Sequence, residues 1–417
     1  MGLANVCKAS SEEKVLARDE HIPHLIALPV GIDVTKTAAY RNGSIIIQDK
    51  ASCFPAYLLN PTPHDGDIID ACAAPGNKTT HLAALLAEAR DKSATSGGSG
   101  GEETPSQTVF ACERDKGRAQ TLAKMTKIAN PAAKTKIECL LGQDFLRLSP
   151  QDKRFAHVGA LLLDPSCSGS GIVKRDAGGV ADTLQVRLPS TTSREGASKR
   201  PSKASMVSKK RKRKAEDSPP PPPVASLPAT NEAEEQEEEE EVISEETTDE
   251  TADALRTRLS NLSAFQLKIV QHAFAFPAAR KVVYSTCSIY AEENEQVVVK
   301  ALLSPVARER GWRVMRREEQ VEGLRKWHVR GDLAETEKVL HEVKAEELED
   351  AKLIAEACIR CEKGTEDGTM GFFVAGFIRD DEPGRREIAV QAHRDEDEGD
   401  EDEDEDEEEE WNGIDSD

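Results

Sequence analysis

Two cysteines stand where a thiol could act as a nucleophile. Leu163-Asp164-Pro165-Ser166-Cys167-Ser168-Gly169-Ser170-Gly171 and Tyr284-Ser285-Thr286-Cys287-Ser288 each follow an apolar run. A free cysteine is often simply buried, so either one alone is unremarkable. Two thiols behind two successive runs, one beside an aspartate and flanked by small residues, point to covalent chemistry. Carbon 5 of a pyrimidine is a poor nucleophile. A thiolate that adds at carbon 6 creates a transient enamine, and carbon 5 can then attack a methyl cation equivalent. Charge develops on ring nitrogen 3, where a neighbouring carboxyl group such as Asp164 can supply a hydrogen bond or a proton. The adduct must then lose the carbon 5 proton and expel the thiol, aided by a second thiol or a basic water. This chemistry alone does not say which cysteine attacks.

Three further turns suit a cofactor. Asp70-Ala-Cys-Ala-Ala-Pro-Gly-Asn-Lys-Thr-Thr80 reads as a strand, a turn of small residues and a helix start. Small residues let a ligand approach the backbone, and the helix N-terminus offers free N–H groups. The spacing of a phosphate loop is absent. Glu113 ends the second apolar run, where nucleotide-binding α/β folds hold ribose hydroxyls. Asp144, after the third run, can accept from an adenine amino group. Cys358 and Cys361 form a single C-x-x-C without a second pair or histidines at ligand spacing, so no metal site is expected.

The elements that must position these residues alternate. Strand character fits 67–71, 108–112, 136–141, 157–163 and 281–285, with a late buried strand at 371–378. Helical spacing fits 78–89, 115–129, 257–275 and 291–303, the last opening with acidic residues suited to a helix N-terminus. This alternation predicts an α/β fold with a mostly parallel sheet covered on both faces. Ligands in such sheets bind at the carboxyl ends of the strands, where all these motifs fall.

The chain has 417 residues, of which 38% are hydrophobic, 4% aromatic and 32% charged. That is too polar for one compact globule, so segments without a core are expected. The net charge is −22, but 178–254 carries −6 and 380–417 carries −18, which leaves about +2 elsewhere. The overall acidity therefore does not argue against RNA. Residues 91–107 read as a Gly/Ser/Thr-rich loop insertion, and 332–350 as a charged segment able to form an exposed helix. Segment 178–254 contains the basic cluster Lys209–Lys214, which resembles a nuclear import signal. Residues 395–410 are acidic except for Gly399. The clearest basic stretch of the folding part is 308–330, where Arg residues beside Trp312 and Trp327 suit phosphate contact and base stacking. The interleaved glutamates suit a solvated helix face equally. Scattered cysteines, no signal peptide and no long apolar stretch point to a reducing intracellular compartment and no membrane.

Taken together, these motifs resemble those of the Nop/Sun RNA cytosine-C5 methyltransferases. The likeness covers 29–177 and 255–379. Gln48-Asp49-Lys50-Ala51-Ser52-Cys53 is similar to the family's opening motif and Cys72–Thr79 to its cofactor loop. Asp164–Gly169 is similar to its Pro-Cys motif, Ser285–Ser288 to its Thr-Cys motif and Gly371-Phe372-Phe373 to its closing strand. The resemblance implies a Rossmann-like catalytic domain using S-adenosylmethionine. It implies Cys287 as nucleophile, Cys167 as the thiol needed for product release, and Asp164 as a contact to both base and cofactor. The implied cofactor site is Cys72, Ala73, Ala74, Pro75, Gly76, Asn77 and Lys78 with Glu113, Arg118, Asp144 and Asp164. Asn77 and the Asp-Pro-Ser-Cys-Ser-Gly-Ser-Gly form resemble the subgroup acting on large-subunit ribosomal RNA. A nuclear, nucleolar monomer that meets pre-ribosomal particles is the corresponding expectation. The family carries a sizeable RNA-contacting region ahead of the cofactor domain, and 1–28 reads as its remnant. RNA binding is therefore expected to be weak and salt-dependent. Three rival readings are an RNA-binding assembly factor without activity, a nitrogen methyltransferase and a disulfide oxidoreductase. The intact thiols, aspartate and loop argue against the first. The second has no use for the Thr-Cys thiol. The third is opposed by the 120 positions that separate the cysteines.

Overall fold

The computed structural model describes residues 16–29, 32–95, 107–130, 134–172, 252–342 and 350–379. The acidic tail, the basic cluster, 96–106 of the expected loop insertion and nearly all of 178–254 lie outside them. Apart from 252–254, the described residues belong to one compact unit. Among the described residues no helix is long and apolar enough to cross a membrane.

The centre is an eight-stranded sheet. Its strands are β1 (Asp67–Asp70), β2 (Thr108–Glu113), β3 (Lys136–Leu141), β4 (Val158–Leu163), β5 (Lys281–Thr286), β6 (Trp312–Val314), β7 (Ile359–Cys361) and β8 (Phe372–Arg379). The order is β3-β2-β1-β4-β5-β8-β6, with β7 also paired to β8. The first five strands run parallel, and β8 is antiparallel to β5, β6 and β7. This is the order of a dinucleotide-type half-sheet extended by an antiparallel flank. The expected α/β, mostly parallel architecture is therefore observed.

Alternation along the strands explains the two-faced core. Ile68, Leu162, Val283 and Val374 face one side, where helix α1 (Lys50–Leu59) buries Phe54, Leu58 and Leu59 against them. Ile69, Leu161, Leu163, Val282 and Tyr284 face the other, under Ile269, Val270 and Phe274 of α4 (Ala252–Phe274) and Val297 and Val298 of α5 (Glu295–Leu302). A period of two in the strands and of 3.6 in the helices places these side chains on common faces. The other crossover helices are α2 (Asn77–Thr95) and α3 (Lys116–Ala129). The described part of the N-terminal segment joins this domain. Lys50 Nζ lies 2.7 Å from buried Asp19, and Ile22 is in the α1-side core.

Three expectations change. The helix α2 continues to Thr95, into the expected loop insertion. Leu333–Glu342 is a helix with Thr336 and Val339 fully buried, so this described part of the 332–350 segment is amphipathic and packed. The 308–330 stretch is no RNA surface of stacking tryptophans. Trp312 and Trp327 are buried, and each indole N–H donates to a backbone carbonyl. Arg310 donates to the carbonyls of Ala275, Phe276 and Pro277, Arg313 pairs with Glu319, and Arg317 pairs with Glu356. Charge counting cannot distinguish a phosphate contact from an arginine that caps backbone carbonyls.

Candidate active site

The parallel register brings the ends of β4 and β5 side by side, Leu163 opposite Tyr284. Cys167 and Cys287 therefore meet, with their sulfurs 3.1 Å apart and no disulfide between them. Asp164 leaves β4 between two donors. Its Oδ2 accepts from Lys78 Nζ at 2.7 Å and its Oδ1 from Ser285 Oγ at 2.6 Å. These two contacts hold the Asp164 side chain in place. Burial alone would lower the Lys78 pKa, but the charge and hydrogen bond of Asp164 outweigh it and the net direction is upward.

The two thiols titrate as a unit. The hydrogen bond from Cys287 lowers Cys167 below the ordinary thiol range, and burial opposes it. The same hydrogen bond and burial push Cys287 strongly up. The pair thus loses one proton readily and resists losing the second.

Two adjacent residues hold the two thiol loops. Gln266 Nε2 donates to Ser166 O at 3.0 Å and to Glu293 Oε1 at 2.9 Å, and the same Glu293 oxygen accepts Ser168 N–H at 2.9 Å. Both neighbours of Cys167 are thereby fixed. Asn294 does the same for Cys287: its Oδ1 accepts from Thr286 Oγ1 at 2.6 Å and its Nδ2 donates to Ser288 O at 3.0 Å. Gly171 N–H donates to Cys287 O and Gly371 N–H to Gly171 O, tying the two loops to the closing strand. A Cβ on Gly171 would lie 2.0 Å from Gly371 O, so only glycine fits.

Gln266, Glu293 and Asn294 escaped the sequence reading. The acidic residues 292–295 read there as favourable charge at a helix N-terminus. Instead, the helix breaks at Asn294, and Glu293 and Glu295 are fully buried. The available signal was an acidic pair next to asparagine, too common in helix starts to single out.

A cavity of about 410 Å³ opens beside the thiols. Pro75, Asn77, Lys78, Asp164 and Cys287 line its polar side, and Ile45, Ile47, Met125 and Ile128 its apolar side. Its size and mixed lining suit a small ligand with an apolar ring and a charged end. Asn77 Oδ1 is buried there without a hydrogen-bond partner, an acceptor in need of a donor. Cys72, Ala73 and Ala74 pack beneath the loop, and Ala73 and Ala74 are buried against Ala111 and Leu122. They can reach a ligand only through backbone groups. Gly76 has φ of +118°, and a Cβ there would meet Met125 and Leu122 at 3.2 and 3.3 Å. In the direction of that Cβ lies α3.

Glu113, Arg118 and Asp144 gather at the tips of β2 and β3, apart from the cavity lining. Glu113 Oε1 accepts Asp115 N–H, Arg118 donates to Ala74 O and lies 3.6 Å from Glu113, and Asp144 caps the turn at Leu146. Asp70, at the tip of β1, was not anticipated. Burial pushes its pKa to about 6, against the hydrogen bond from Thr79. Among the described residues no cluster of His, Cys, Asp and Glu could hold a metal.

The comparisons with known proteins agree with this geometry. A family model described as 16S rRNA methyltransferase RsmB/F matches residues 56–97. The 25S rRNA (cytosine-C(5))-methyltransferase rcm1 of Schizosaccharomyces pombe is 34% identical over 358 residues, covering 86% of this chain and 54% of the relative. A 28S rRNA (cytosine-C(5))-methyltransferase of Mus musculus is 32% identical over 286 residues, 68% of this chain and 42% of the relative. A methyltransferase homologue of Pyrococcus horikoshii of known structure is 17% identical with a TM-score of 0.47, covering 84% of this chain and 72% of that one. The chain spans about half the length of the curated relatives it matches. Sheet order and strand-tip loop define a Rossmann-like domain, and the relatives cited are named as methyltransferases. Within that class, the resemblance to the RNA cytosine-C5 methyltransferases read from the sequence is borne out.

Proposed function

We propose that this chain methylates carbon 5 of cytosine in large-subunit ribosomal RNA, with Cys287 as covalent nucleophile. The observation that carries the reading is the pair of sulfurs 3.1 Å apart beside the Asp164–Lys78 ion pair. Proton transfer within the pair can put its single negative charge on Cys287, which then attacks. Cys287 lines the cavity together with Asp164 and Lys78. Lys78, held by Asp164, is placed to stabilise charge on ring nitrogen 3 as sulfur adds at carbon 6. S-adenosylmethionine supplies the electrophilic methyl group. Pro75, Asn77 and Lys78 would hold it on the cavity side, with Glu113, Arg118 and Asp144 at the neighbouring strand tips. Cys167 then assists release of the product.

The target cytosine leaves its stack to reach the thiols, at a cost of a few kcal/mol. Large-subunit ribosomal RNA is favoured because the relatives cited above are named for it. A nucleolar monomer acting on pre-ribosomal particles follows from the same reading. An inactive assembly factor would have no need of the paired thiols. The test is transfer of a radiolabelled methyl group to ribosomal RNA, with mapping of the modified position. Label on carbon 5 of one large-subunit cytosine is expected. Label on a base nitrogen, or none with intact RNA and bound methyl donor, would overturn the reading.

A further inference from the structure

Glu293 is fully buried, yet no cation pairs with it among the described residues. One of its oxygens accepts Ser168 N–H and Gln266 Nε2. The other, Oε2, is buried without a partner. A buried carboxylate left uncompensated in this way costs stability. Its place is the back of the loop that carries Cys167. Tyr284 OH locks the arrangement from below, donating to Glu293 O at 2.6 Å and to Gln266 Oε1 at 3.2 Å.

We propose that Glu293 is a positioning residue for Cys167: it fixes the loop that carries this thiol, and its unpaired charge keeps a proton on Cys167 while Cys287 is bonded to the base. This role rests on the covalent reading above and extends it to the release step. In the free protein the two thiols share a hydrogen bond, the largest influence favouring a thiolate at Cys167. The backbone N–H groups of Gly169 and Cys287 act in the same direction, and burial and Glu293 act against it. A Cys287 sulfur bonded to carbon 6 has no proton to donate. The balance at Cys167 then moves toward the protonated thiol, 3.1 Å from the sulfur that must leave. The charged and titratable groups facing the thiol pair are Tyr284 on β5, Asp164 after β4, Lys78 on α2 and Glu293. As the carbon–sulfur bond breaks, its electron pair stays with Cys287, which takes the proton of Cys167. The carbon 5 proton passes to water, and its electron pair restores the ring double bond. The thiol pair returns to a single shared negative charge.

The test begins without RNA. In Cys287→Ala the Cys167 thiol lacks its donor, as in the adduct. Its pKa, read from thiolate absorbance or alkylation rate against pH, should lie above the ordinary thiol value of about 8.5. Adding Glu293→Gln keeps the acceptor for Ser168 but removes the charge. The pKa should then fall by about one unit or more. An unchanged pKa would overturn the role. If the double variant does not fold, a Cys167 pKa at or below the ordinary value in Cys287→Ala alone overturns it. With both cysteines present, Glu293→Gln should bind the methyl donor normally, slow turnover about tenfold and accumulate a denaturation-resistant protein–RNA adduct. Normal turnover without adduct would again overturn it. The expected thiol shift with no adduct in any variant would support the role of Glu293 and sink the covalent cytosine reading instead.

Discussion

Glu293 and Glu295 lie two residues apart, are equally buried, and serve opposite ends. Glu295 faces the antiparallel flank, where Arg360 on β7 clasps it through two hydrogen bonds of 2.7 and 2.6 Å and Asp332 N–H donates a third. Glu293 faces the strand tips and has only neutral donors. The flank neutralises its buried charge and thereby joins helix to sheet. The strand-tip edge leaves Glu293 without a counter-charge, behind the loop that carries Cys167. Burial alone therefore does not distinguish a structural carboxylate from a functional one, but the presence of a counter-charge does.

The strongest way to break this comparison is to remove the counter-charge. Arg360→Ala strands Glu295 in the interior and should cost about 3–5 kcal/mol in denaturant unfolding. Glu293→Gln removes a buried charge that was never paired and should leave stability unchanged or raise it. Equal losses in the two variants would erase the distinction.

Asp70 gives a pH-dependent version. Its folded pKa of about 6 lies above the unfolded value of 3.8. Its contribution is thus fully present below pH 3.8 and is lost as pH rises through 6. Relative to the wild type, Asp70→Asn should gain up to about 3 kcal/mol between pH 4 and pH 7. A difference in unfolding free energy that does not vary with pH would show that Asp70 is no more strained than a surface acid. At the small end, Lys326 and Glu322 form an exposed pair one helical turn apart. Lys326→Ala should move stability by about 0.5 kcal/mol or less, and an effect above 1 kcal/mol would mean that exposure is a poor guide in this domain.

Much of this was legible from local pattern. Each motif read as sitting after an apolar run does sit at a strand tip, because strand period and turn chemistry act over a few residues. The partners were not legible. Gln266 reaches Ser166 across 100 positions and Glu293 reaches Ser168 across 125, distances over which no periodicity carries information. The same limit misled the reading of 308–330, whose arginines find their carbonyls and carboxylates only after the flank has folded. Gly76 was marked for the approach of a ligand, and the structure shows a further demand on it. That demand comes from backbone conformation and the side of α3.

The central claim is that Cys287 attacks and Cys167 releases. It is tested most directly by incubating Cys167→Ala, Cys287→Ala and the double variant with ribosomal RNA and methyl donor, followed by a denaturing gel. The expected result is a covalent protein–RNA band in Cys167→Ala and none in the other two. A band in Cys287→Ala but not in Cys167→Ala would reverse the two roles and contradict the account.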